Sequence, residues 1–190
     1  VRGTPPTPDA FAFYLPFHRY REEHWGIYLT PEGIGHFATQ VSVKSQRKIP
    51  VERCVILARL LMYFHEYFHH CVESFALRLE VDRRVPLYNT AFEALFRSQA
   101  VAGSIDEEGL ANAYALRRIE DVIGRKAWPK RHREIAMDVL TDIVREMPFG
   151  YGRGAALVKD DAYQHARNEF AEENHTLFSG GPPHDPSIWS

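Results

Sequence analysis

Between residues 51 and 81 the apolar side chains leave no wide polar face: Val55, Leu57, Leu60, Leu61, Phe64, Phe68, Val72, Phe75 and Leu79 point to nearly every side of a helix. A helix that is apolar almost all the way round is central and buried, so residues 51–81 are expected to be the spine of the fold. Pro50 serves as the N-terminal stop before it. Residues 10–15 and 24–30 (HWGIYLT) are aromatic and β-branched and predict two short strands around a charged link at 19–23. Pro31-Glu32 starts a helix that reads as short and broken by Gly33 and Gly35, followed by a basic loop at 44–48. Further helices are expected at 88–99, at 104–124 with Ser104 as N-cap and Glu107 in the capping-box position, at 132–147 and at 160–177. A glycine-rich loop occupies 149–154. The pattern gives an α+β, predominantly helical fold with a small N-terminal β-sheet.

Length and composition narrow this to a single domain, 1–190. A chain of 190 residues, 45% hydrophobic and 13% aromatic, can bury one core and is short for two. Residues 1–9 and 179–190 are rich in Pro and Gly and are expected to be poorly ordered. The formal charge of −2 gives no cationic field, so neither nucleic acid nor an anionic membrane is an expected partner. The longest apolar run is interrupted by Arg59 and falls short of a membrane span. Cys54 and Cys71 are 17 apart in one helix, about 25 Å, and cannot pair. Unpaired cysteines fit a reducing, cytoplasmic setting. The start Val1-Arg-Gly-Thr-Pro-Pro looks trimmed and is compatible with one domain of a larger or partner-regulated protein.

Chemistry concentrates in the spine. Tyr63-Phe-His-Glu-Tyr-Phe-His-His70 contains His65-Glu66-x-x-His69. Residues i and i+4 share a helix face, so both imidazoles can reach one ion, with Glu66 beside them. Such spacing suits tetrahedral zinc, which needs a third protein ligand and an open position for water. Glu66 is the expected general base, the catalytic residue. Without a metal or hydrogen bonds, polar groups set among Leu61, Met62, Phe64 and Phe68 would carry an uncompensated burial cost. The third ligand cannot be Glu73, because positions i, i+4 and i+8 span about 12 Å along a helix. A second helix must supply it, and Glu108 is the best candidate: Glu108, Ala111 and Ala115 share a face, and the small residues permit close packing. Glu107 reads as a cap.

His65-Glu66-x-x-His69 followed by Glu108-x-x-Ala111-Asn112-x-Tyr114-Ala115 resembles the zincin metallopeptidases of the gluzincin kind, and more narrowly the ImmA/IrrE-type peptidase domain. The resemblance spans about residues 55–120. It implies a zincin-like fold with a central HExxH helix and a second helix supplying a Glu ligand. It further implies one zinc per chain held by His65, His69 and Glu108, Glu66 as catalytic base, and a protein or peptide substrate hydrolysed at a peptide bond.

Outside that span the signals are weaker. Tyr151, Tyr163 and His165 are candidates for oxyanion or substrate contacts. His70 points about 100° from His69 and reads as a supporting or core residue. The Gly150-Tyr-Gly-Arg-Gly154 run lacks the Lys-Ser/Thr ending of a phosphate cradle and reads as a flexible loop beside the cleft. A rival class remains: Glu66-x-x-His69 recurs in form as Glu172-x-x-His175, and two such pairs with lone glutamates (Glu108, and Glu32 or Glu52) are how ferritin-like bundles bind two irons. A zinc-binding regulatory module without turnover is the third reading.

Overall fold

The computed structural model describes residues 11–17, 22–84, 104–125, 128–148 and 150–179. Strands β1 (Ala12–Leu15) and β2 (Gly26–Leu29) pair antiparallel, Ala12 opposite Leu29 and Leu15 opposite Gly26. Helices α1 (Pro31–Lys44), α2 (Val51–Arg83), α3 (Ser104–Arg125), α4 (Lys130–Arg145) and α5 (Asp160–Ser179) follow, with a 3-10 turn, Tyr151–Ala155, between the last two. The described residues are therefore mostly helical with a small two-stranded antiparallel sheet. The expected helix at 88–99 lies outside the described residues.

The first helix differs from its expectation. It runs unbroken for 14 residues despite Gly33 and Gly35. Its N-terminus is well specified: Pro31 takes the first helical position, and the Thr30 hydroxyl accepts from Gly33 N at 3.1 Å. Gly33 is a packing requirement, since a Cβ there would lie 2.2 Å from Phe11 Cβ. Burial of Phe37, Ala38 and Val41 offsets the helix-propensity cost of two glycines, about 1 kcal/mol each.

The long helix is the spine that its pattern predicts. Its 33 residues cover about 50 Å, and it packs most extensively on α3 and α1. It begins after Pro50 and ends at Arg84, whose left-handed conformation (φ 57°) stops it. One core cluster gathers Phe37, Leu57, Leu61, Met62, Leu116, Ile119, Ile123 and Leu140 from α1 to α4. A second joins Phe68 of α2 to Leu110, Ala111 and Ala113 of α3 and to Tyr163 and Phe170 of α5. His65 and Glu66 lie on α2 between Leu61 and Met62 of the first cluster and Phe68 of the second.

Candidate metal centre

Ala111, Ala113 and Ala115 are fully buried, and their small side chains let α3 lie close to α2. The first turn of α3 thereby delivers its carboxylates to the middle of α2. His65, His69 and Glu108 converge, each offering one ligand atom within 4.8 Å of the others. Glu108 Oε2 is 3.1 Å from His65 Nε2 and 3.7 Å from His69 Nε2, and the two Nε2 atoms are 3.4 Å apart. Ligands at about 2.0–2.2 Å from a tetrahedral ion stand about 3.3–3.6 Å from one another. The spacing thus matches a metal set without rearrangement. Glu108 Oε2 is also a buried oxygen that no well-directed hydrogen bond reaches, which an ion between the three atoms would resolve.

The tautomers follow from the surrounding hydrogen bonds. Asn112 is fully buried, and its amide nitrogen donates to Tyr151 O at 3.0 Å, so Oδ1 is left to face His65 Nδ1, 3.0 Å away. His65 Nδ1–H donates to it and the Nε2 lone pair is directed at Glu108 and His69. On the other histidine, Nδ1–H donates to Glu107 Oε1 at 2.8 Å. Both imidazoles are therefore held with Nδ1 as donor and Nε2 as ligand, the arrangement that orients metal-binding histidines. Glu107 is in this way more than the cap its position suggested. It reaches the Nδ1 edge of His69 while Glu108 faces the Nε2 edge.

Electrostatics agree with a site built for a cation. Burial alone would push His69 toward its neutral form, but Glu107 and Glu108 outweigh it and hold the imidazole well above its ordinary 6.5. Burial would raise Glu108, yet the two histidines beside it hold the carboxyl below the usual carboxylate range. Two carboxylates and two imidazoles with a favoured positive charge between them are what a divalent cation can replace. The described residues thus contain a His-His-Glu group able to hold a metal ion, and its chemistry fits zinc.

Glu66, buried at 1% exposure, sits next to His65. Glu73 is committed elsewhere. It accepts from Tyr14 OH and, at 3.0 Å, from Phe17 N, while Trp25 Nε1 donates to Tyr14 OH at 2.9 Å. His70 Nδ1 faces the same phenol at 3.1 Å, so these two α2 side chains anchor the β-hairpin one turn beyond His69. Burial and Glu73 together push the Tyr14 phenol far above its ordinary value.

The glycine-rich run is a packed 3-10 turn rather than a flexible loop. Gly150 adopts φ 99°, and a Cβ on Gly154 would stand 2.6 Å from Asn112 Cβ and 2.8 Å from Gly109 O. Its close approach to α3 lays the Tyr151 ring stacked on His65, centroids 6.1 Å apart at 16°. Of the three residues named for oxyanion or substrate contacts, Tyr151 is beside the centre. Tyr163 is buried in the second cluster under Arg117, 4.8 Å from ring to guanidinium, and His165 is exposed beside Glu169 at 3.4 Å. Of the lone glutamates and second pair of a di-iron arrangement, Glu32, Glu52 and Glu172 are exposed.

No protein-family model, curated protein or solved structure matches the chain. Among the described residues, no helix is long and apolar enough to cross a membrane.

Proposed function

We propose that this chain is a zincin-like metallopeptidase with one zinc ion, ligated by His65, His69 and Glu108, that hydrolyses peptide bonds in a protein or peptide substrate in the cytoplasm. The observation that carries the reading is the convergence of three lone-pair atoms at 3.1–3.7 Å, with both imidazoles locked as Nδ1 donors. Zinc, when bound, supplies Lewis acidity and lowers the pKa of water at its open position toward about 7. His65 and His69 orient through Asn112 and Glu107, and Glu108 closes the ligand set from the second helix. Glu66, buried beside His65 on α2, would accept the proton of the attacking water and pass it to the leaving amine nitrogen. The water-poor setting between the two core clusters strengthens each of these interactions. Tyr151, whose ring stacks on His65, is of the three named residues the one that lies beside the centre, and it would be the donor to the oxyanion of the transition state.

The test compares wild type with Glu66→Gln against a mixture of unfolded proteins, reading new peptide termini by mass spectrometry. Wild type is expected to generate termini that the variant, still loaded with metal, does not. Equal cleavage by both would remove Glu66 from the mechanism, and no cleavage by either would favour a zinc-binding module without turnover.

A further inference from the structure

On the side of α3 away from the metal centre a polar cleft opens, about 530 Å³ in volume, between α3 and the start of α5. Its walls carry four cations: Arg117 and Arg118 from α3, Lys159 just before α5, and Arg167 from α5. Tyr114 and Tyr163 add two phenols from the same two walls.

Three carboxylates also line the cleft, and two are already engaged: Asp160 by Arg117 at 2.6 Å and Asp121 by Arg118 at 3.5 Å. The third, Glu120, is exposed at the rim. Lys159 and Arg167 have no ion pair among the described residues. Arg167 is half-buried and lines the cleft, and its Nε has no hydrogen-bond partner among the described residues. Burial pushes both phenols up to about 12, so each is a hydroxyl donor at neutral pH. Neither hydroxyl has a hydrogen bond among the described residues. The cleft therefore has donors in excess, arriving from two opposed helices.

We propose that this cleft between α3 and the start of α5 is a binding site for a phosphate or phosphate monoester. A tetrahedral oxyanion can accept from both walls at once, whereas a planar carboxylate takes a fork from one side. The ligand sits apart from the metal centre: Arg117 and Arg118 follow Glu108 by nine and ten residues, about 14 Å along α3. The two sites share a packing layer, because Tyr163 belongs to the cluster that contains Phe68, Leu110 and Ala111 next to the metal ligands.

The test is thermal unfolding of the full chain in rising inorganic phosphate, with ionic strength held constant by sodium chloride. Wild type is expected to show a dose-dependent rise in Tm. Arg167→Gln, and separately the exposed Lys159→Gln, are expected to weaken the apparent phosphate affinity by about tenfold or more. Glycerol phosphate acting at lower concentration than inorganic phosphate would identify a monoester, and the reverse order would identify the free ion. The proposal is overturned by a flat wild-type response, by an undiminished response in both variants, or by an equal response to succinate. A response lost in His69→Ala but kept in Arg167→Gln would move the phosphate to the metal centre and overturn it too.

Discussion

Asn112→Ala isolates a part of the centre that supplies no ligand atom but orients one ligand, His65. The substitution removes the acceptor of His65 Nδ1–H and the donor to Tyr151 O, both 3.0 Å bonds in a fully buried setting. Loss of such an orienting partner lowers metal affinity by about 10- to 100-fold, which is about 1.4–2.7 kcal/mol of binding free energy. The orphaned imidazole N–H and Tyr151 carbonyl add about 1–3 kcal/mol each to the cost of folding without metal. Asn112→Asp keeps an acceptor for His65 but loses the donor to Tyr151, so it should retain zinc affinity while still destabilising the 3-10 turn. Competition with a chromophoric chelator measures the first quantity, and urea unfolding of the metal-free protein measures the second. If Asn112→Ala binds zinc within about twofold of wild type, the tautomer assignment is wrong.

Two other expectations follow from the same geometry. Gly154→Ala places a methyl group 2.6 Å from Asn112 Cβ and 2.8 Å from Gly109 O, so the turn must move off α3. The variant should lose about 1–3 kcal/mol of stability in urea and weaken zinc binding as well, and an unchanged unfolding midpoint would refute the close packing. In metal-free protein, His69 is held above its unfolded value of 6.5 by Glu107 and Glu108. The stabilisation it contributes is complete below that value and is lost as pH rises through the folded one. The urea midpoint should therefore fall with pH above 6.5 in wild type and stay flatter in Glu107→Gln/Glu108→Gln; identical slopes in the two proteins would show that the carboxylates do not act on His69.

Much of this arrangement is legible along the chain because local periodicity carries it. Val51 to Arg83 forms one helix since its apolar residues and Pro50 agree, and the i, i+4 rule alone puts His65 and His69 together. Glu108 is harder to read from sequence, and depends on the run of alanines that lets α3 approach α2. Other features lie beyond local patterns. Gly33 looks like a helix breaker until Phe11 from the β-hairpin is seen against it, so propensity yields to packing. Glu107 reads as a cap because capping is a local rule, whereas its contact with His69 crosses between helices. Asn112 stands in the sequence as part of the Glu108-x-x-Ala111-Asn112 motif, but its bond to His65 crosses between helices and no local rule assigns it. Tyr151 stacking on His65 could not be read at all, since it depends on glycines packing a turn onto another helix.

The most direct test is metal analysis of protein purified without added metal, alongside His69→Ala and Glu108→Ala. A centre formed by His65, His69 and Glu108 predicts close to one zinc per wild-type chain and a sharp loss in both variants. Two irons per chain, or zinc retained undiminished in both variants, would contradict it.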